Sequence, residues 1–159
     1  SKSDFSAGNS KNTFSINGIG KIQPMICFEA IFPGFLNGFG KANLMVNITN
    51  DFWFGNTYGP EQHLALARQR SIESGMPLLR VSNSGISAGY DPLGQELGRI
   101  EFGETGFLDI RIPEKLSSTL YNKWGDKIFF VMIFLVIIIF IFKLLKSRVD
   151  NKVYFERDS

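Results

Sequence analysis

Ile128 to Phe142 reads IFFVMIFLVIIIFIF, fifteen residues without one charged or hydrogen-bonding side chain, and beyond Lys143 the apolar character resumes at Leu144 and Leu145. Nothing else in the chain limits its fold as much, because a helix apolar on every face has no side to turn toward water. At about 1.5 Å per residue the strict run spans ~22 Å and the extended one ~27 Å, close to the ~30 Å hydrocarbon core of a bilayer. The alternative, a core helix of an aqueous protein, would carry a polar stripe. We therefore expect a transmembrane helix with interfacial flanks over 123–146, Trp124 anchoring one interface and Lys143 snorkelling at the other.

Charge gives the orientation. Residues 1–127 carry 12 Lys and Arg against 12 Asp and Glu, whereas residues 128–159 carry 5 against 3, so the surplus of +2 lies entirely beside the apolar run. Lys143, Lys146, Arg148, Lys152 and Arg157 follow the run, and only Lys123 and Lys127 closely precede it. The positive-inside rule then makes 147–159 a cytoplasmic tail and puts the preceding domain outside, in the periplasm of a Gram-negative cell. No basic stripe marks the neutral part as a nucleic-acid surface. The chain opens on Ser1 and a polar dozen residues, without an initiator Met or a signal peptide, which suggests the C-terminal part of something longer.

One Cys and one His exclude a disulfide framework and any thiolate- or imidazole-based metal cluster, so no metal or cofactor is expected. If Cys27 matters, it matters as a thiol.

Residues 1–122 read as an α/β segment. Thr13 to Ile16 and Ile19 to Ile22 flank Asn17-Gly18, a type I′ hairpin signal. Pro24 to Cys27 forms a short apolar run leading into a helix-prone stretch, Glu29 to Phe32, that Pro33-Gly34 breaks. Asn43 to Ile48 reads as a buried strand, followed by the polar-aromatic loop TNDFWFGNTYG. Gly59 as N-cap, Pro60 at the first helical position, and Gly75 with Pro77 beyond the end bracket a helix of about four turns. Leu78 to Ser82, Ile86 to Tyr90 and Phe107 to Ile112 read as strands, with Asp91 to Gly94 as a turn.

Cys27 therefore falls where a strand gives way to a short helix. A side chain at such a junction is pushed clear of the sheet, and backbone N–H groups of the next turn face it, favouring both a thiolate and a neighbouring oxyanion. A small buried hydrophobe is the competing reading of a lone Cys.

The run Ile26-Cys27-Phe28-Glu29 with Phe32-Pro33 resembles the nucleophile elbow of the apolipoprotein N-acyltransferases, the membrane members of the nitrilase (carbon-nitrogen hydrolase) superfamily. The resemblance continues through Asn47 to Gly55, Gly59 to His63, Ala67 to Glu73, Pro77 to Arg80 and Ser82 to Ala88, and the chain ends, as that family does, in a membrane helix. It implies the C-terminal half of an αββα nitrilase-type sandwich over 1–122, followed by one transmembrane helix in a bacterial inner membrane. The family moves a fatty acyl chain from a phospholipid to a Cys thioester, and from there to the N-terminal amine of a diacylglyceryl-cysteine lipoprotein.

By this resemblance Cys27 is the nucleophile, Glu29 a carboxylate that orients the thiol or the incoming amine, and Phe28 and Trp53 substrate-binding residues, Trp53 at the mouth of the lipid site. Phe28 stands where the family has Tyr, keeping the ring without the hydroxyl. A first-turn helix Glu favoured by the macrodipole and a loop pinned by its aromatics are the bland readings of Glu29 and Trp53. The superfamily also uses a Glu base and a Lys upstream of the nucleophile. Only Lys2, Asp4, Lys11 and Lys21 precede Cys27 as ionisable side chains, with no Glu among them and none of the family's flanking residues around them, so neither the base nor the Lys has a match and the piece alone is expected to be inactive, needing an upstream segment. His63 reads as a helix-start structural residue, Asn50, Asp51 and Asn83 as loop-shaping residues, and Arg68, Arg70 and Arg80 as a solvated face or structural pairs with residues such as Glu73. A membrane-tethered amidase or nitrilase-like hydrolase and a non-catalytic remnant are the alternatives.

Overall fold

The structure, a computed structural model, describes residues 13–33 and 42–157. The polar opening stretch with Lys2, Asp4 and Lys11, the glycine of the Pro33-Gly34 break, and residues 158 and 159 lie outside the described residues. The chain falls into two compact units that divide between Asn122 and Lys123.

The first unit is built on a six-stranded sheet in sequence order: β1 (Phe14–Ile16), β2 (Gly20–Ile26), β3 (Leu44–Asn50), β4 (Leu78–Asn83), β5 (Ser87–Tyr90) and β6 (Glu96–Ile100). The three central strands β2, β3 and β4 run parallel, and β1, β5 and β6 are antiparallel to their neighbours. Parallel strands end on one edge, so the segments leaving β2, β3 and β4 converge there, and in open α/β sheets that edge is where sites form.

Helix α1 (Gly59–Ser74) covers one face of the sheet. Its Leu64 and Ala67 pack with Met25, Met45 and Leu78 from β2, β3 and β4 and with Ile86 and Tyr90, all nearly inaccessible. Each such large side chain contributes about 1.5–3 kcal/mol of burial. The helix starts one residue earlier than the sequence suggests, Tyr58 taking the N-cap position, and it ends as expected at Gly75, whose left-handed φ of 66° lets its N–H reach Ser71 O. The opposite face of the sheet carries a row in register, Ile26, Ile48 and Val81, each more than half exposed.

Two sequence expectations need correction. Asn17-Gly18 does turn the β1–β2 hairpin, but as part of a three-residue loop pairing Ile16 with Gly20, with Ile19 N–H donating to Ile16 O at 3.1 Å. Gly18 takes a positive φ of 83° while Asn17 does not, which is the type II rather than the type I′ pattern. Phe107 to Ile112 is not a strand; the last ladder is β6, with a bulge at Gly89/Tyr90. The alternating apolar residues of 107–112 serve instead to seat side chains on sheet glycines, Leu108 over Gly98 and Ile110 over Gly89, at positions where an added Cβ would overlap them.

The second unit holds helix α3 (Lys127–Arg157), set off from the short α2 (Leu120–Trp124) by Gly125 at φ 52°. Its first twenty residues, Lys127–Lys146, are long and apolar enough to cross a membrane, about 30 Å at helical rise, and none of that stretch is buried against protein. The helix continues through Arg157, past the apolar part.

Candidate active site

Strand β2 ends at Ile26, and Cys27 opens the short helix expected there, a 3-10 turn over Cys27–Ile31. Cys27 has φ 49°; it and Ser84 are the two non-glycine residues with positive φ among the described residues. For an L-residue that conformation costs roughly 1–2 kcal/mol, and the surroundings must hold it in place. Two side chains do so. Glu29 Oε2 accepts the Ile26 N–H at 2.7 Å, folding the turn back onto the strand end. Asn47 Nδ2 donates to Met25 O at 3.1 Å and to Cys27 O at 3.3 Å, gripping the backbone on both sides of Ile26.

Beneath the elbow lies a polar assembly buried between β3, β4 and α1. Asn47, Thr49 and Asp51 occupy alternate positions along β3 and its end, so all three face α1. Thr49 Oγ1 lies 3.4 Å from Cys27 Sγ and 3.2 Å from Asp51 Oδ1. Asp51, wholly buried, meets His63 Nδ1 at 2.9 Å through Oδ1 and Arg80 Nη2 at 2.7 Å through Oδ2. Arg80 Nη1 also donates to Asn47 Oδ1. Since a guanidinium only donates, the Asn47 amide must turn its oxygen to Arg80 and its NH2 to the elbow carbonyls.

Burial alone would raise the Asp51 carboxyl above its ordinary 3.8; the hydrogen bond from His63 and the Arg80 charge outweigh it and hold the carboxyl below that value. Burial lowers the proton affinity of Arg80, which Asp51 opposes. A buried pair of this kind is costly to break because either partner alone is an uncompensated charge.

The candidate residues are therefore distributed as follows. Cys27 and Glu29 are together on the elbow. Phe28 is half exposed, its ring centroid 5.9 Å from those of both Phe32 and His63. Trp53 is 79% exposed in a 3-10 turn, Phe52–Phe54, which leaves the same carboxyl edge from β3, while its neighbour Phe54 packs edge-on to His63. His63 is buried near the start of α1, with Nδ1 on Asp51. Asp51 shapes more than a loop: it is the hub of the buried assembly. Of the arginines, Arg70 is buried in the expected structural pair with Glu73 at 3.0 Å, Arg68 is exposed and donates to Gly94 O at 2.6 Å, and only Arg80 departs from the expectation, being inaccessible and bound to Asp51. The signal that exposes Asn47, Thr49 and Asp51 is their period-2 spacing in LMVNITND, where of the other residues only Asn50 is polar.

Cys27 thus stands at a left-handed elbow just past the end of β2, on the carboxyl edge of the three parallel strands. The model of the carbon-nitrogen hydrolase family matches residues 2–120, and the chain belongs to that family. Within it, the chain is similar to proteins named apolipoprotein N-acyltransferase. The one from Rickettsia bellii is 41% identical over 140 residues, covering 87% of this chain and 27% of the relative. The one from Bradyrhizobium diazoefficiens is 43% identical over 123 residues, covering 77% and 23%. The chain thus spans about a quarter of the length of these curated relatives. Among solved structures, the NitN amidase from Nesterenkonia superposes with TM-score 0.54 at 23% identity, over 69% of this chain and 45% of that one, a likeness of fold. A mutant of the Nesterenkonia amidase carrying acrylamide on its active site cysteine superposes with TM-score 0.51 at 24% identity, over the same shares.

Proposed function

We propose that this chain carries the nucleophile part of an apolipoprotein N-acyltransferase, moving a fatty acyl chain from a phospholipid through a Cys27 thioester to the N-terminal amine of a diacylglyceryl-cysteine lipoprotein. The observation that carries the reading is the elbow: Cys27 at φ 49° on the strand end, its sulfur 3.4 Å from a hydroxyl. The relatives' names supply the substrate class.

In the first step the Cys27 thiolate attacks the phospholipid ester carbonyl, the C–S bond forms, and the C–O bond breaks, the leaving alkoxide taking up the proton that the base removed from the thiol, to release lysophospholipid. In the second the lipoprotein amine attacks the thioester, an amide forms, and the thiol is regenerated. Splitting one difficult transfer into two replaces attack of an amine on an ester by attack on a thioester carbonyl, whose thiolate is a better leaving group. Glu29 positions the elbow through Ile26 N–H and stands next to the path of the amine. Phe28 and Trp53, both exposed apolar rings, suit acyl-chain contact at a membrane surface. The base and the cationic residue that the superfamily uses match nothing in these residues, and we assign them to an upstream segment working with this one; without it the piece is inactive. Residues 1–122 form the partial catalytic domain on the periplasmic side of a bacterial inner membrane, 123–146 the span, and 147–159 the cytoplasmic tail.

The test is mass spectrometry of the Cys27 peptide from native membranes, before and after neutral hydroxylamine. A hydroxylamine-labile fatty-acyl adduct on Cys27 is expected. Cys27 found unmodified under lipoprotein-producing conditions, with acylation intact in a Cys27→Ala strain, overturns the proposal.

A further inference from the structure

Thr49 is in contact with two groups that compete for one proton. Its hydroxyl has a single hydrogen to donate, and it lies 3.4 Å from Cys27 Sγ and 3.2 Å from Asp51 Oδ1. Asp51, held below the ordinary carboxylate range, is an acceptor only. When Cys27 is a thiol, its S–H can donate to Thr49 Oγ1, and Thr49 gives its own hydrogen to Asp51. When Cys27 is a thiolate the sulfur can only accept, so the same hydroxyl must turn its hydrogen to sulfur. Rotation about the Cβ–Oγ1 bond accomplishes the change without moving a heavy atom.

The assembly tolerates that turn. With the His63 proton on Nδ1, as its bond to Asp51 requires, Asp51 keeps His63 on Oδ1 and Arg80 on Oδ2 when Thr49 rotates away, so no buried carboxylate oxygen is orphaned. Arg80 also fixes Asn47, which grips the elbow backbone at Met25 O and Cys27 O. One buried guanidinium thus secures both the backbone that presents the sulfur and the carboxylate behind the hydroxyl that touches it. The ionisable groups around the row are Asp51 at the end of β3, His63 from α1, Arg80 from β4 and Glu29 in the elbow turn.

We infer that Thr49 is a positioning residue whose hydroxyl follows the protonation state of Cys27, donating to Asp51 beside the thiol and to sulfur beside the thiolate. The inference rests on Cys27 being the nucleophile, as proposed above. The Thr49 proton is never transferred: the thiol proton leaves to the catalytic base, and Thr49 only reorients. In the thioester the sulfur is a poor acceptor, so the hydroxyl returns to Asp51. It turns to sulfur again as the amine displaces it, which stabilises the leaving thiolate in the second step as it stabilises the attacking one in the first.

The experiment measures the rate of iodoacetamide alkylation of Cys27 against pH, read on the Cys27 peptide by mass spectrometry. It uses the whole polypeptide as its own cells make it, purified in detergent. Thr49→Val removes the hydroxyl at nearly constant shape; Thr49→Ser keeps it. Wild type and T49S are expected to share one profile, and T49V to move to higher pH by about one unit, a roughly tenfold loss of rate on the acidic limb. The plateau at high pH should be unchanged, because a merely loosened elbow would alter the plateau as well. If T49V loses its trypsin-resistant core, Thr49→Ala takes its place with the same expected shift. Superimposable profiles for wild type and the hydroxyl-free variant, or an equal shift in T49S, overturn the inference. The hydroxylamine assay separates the two claims: an adduct present with no shift in profile sinks the role of Thr49 alone, and an absent adduct with acylation intact in the Cys27→Ala strain sinks both.

Discussion

Arg80→Met tests the buried assembly most directly. Arg80 and Asp51 have side chains with no exposure and are joined at 2.7 Å, and Arg80 makes a second bond to Asn47. Removing the guanidinium leaves the Asp51 carboxylate buried with only His63 and Thr49, while the burial cost of its charge is undiminished. Breaking such a pair from one side costs about 3–5 kcal/mol. Asp51→Asn breaks it from the other side, stranding the Arg80 cation, with a loss of similar size. The double variant removes both charges, so it should cost no more than the worse single, a coupling of about 3 kcal/mol. Arg99 is the control. It faces Glu61, Glu96 and Glu101 and looks the better-bonded arginine, but those carboxylates are 53, 42 and 58% exposed, so Arg99→Met should cost less than about 1 kcal/mol. Urea titration in detergent micelles, read by the trypsin-resistant fraction, gives all four values. A loss below about 1 kcal/mol for R80M, or single losses that simply add, would refute the argument that burial rather than the number of partners sets the worth of an ion pair here.

Other consequences are as specific. Because the Asp51 carboxyl is held below its ordinary 3.8, its contribution to stability is fully present above about pH 4 and is lost as pH falls through the folded-state value; the urea midpoint should drop there, and less steeply in Asp51→Asn. Tyr90 moves the other way: burial, helped by Glu96, pushes its phenol up to about 12, so its contribution is complete below pH 10 and lost between pH 10 and 12, a limb that Tyr90→Phe should flatten. Gly85→Ala would place a Cβ 2.2 Å from Ser82 Oγ and 2.7 Å from Asp51 Cβ, and overpacking of this kind should lower stability by about 1–3 kcal/mol in the same titration. At Cys27 the left-handed φ reverses the usual ranking, so Cys27→Gly should be more stable than Cys27→Ala by about 1 kcal/mol, although both lack the thiol.

Local chemistry made much of this protein legible before any coordinates. A fifteen-residue apolar run defines the candidate span because its composition alone leaves it no aqueous surface. Gly75 ends α1 because the helix needs a left-handed residue there, and Cys27 sits at a strand end because the apolar run stops and a helix-prone stretch begins. Each of these depends on a few neighbouring residues. Tertiary structure decided what depends on distant ones. Phe107 to Ile112 has the alternation of a strand yet pairs with nothing, because Glu96–Ile100 already holds the ladder position beside β5. Asp51, His63 and Arg80 are 12 to 29 residues apart and polar, and singly each fits a loop, a helix start or a surface. Only when β3 and β4 pair in parallel, with Asn47 opposite Arg80 and α1 laid across them, do they share a volume without water, where charges must be paired and every donor direction is dictated. Side-chain type is written in the sequence; which partner a buried charge must satisfy is settled by the fold that excludes the solvent from it.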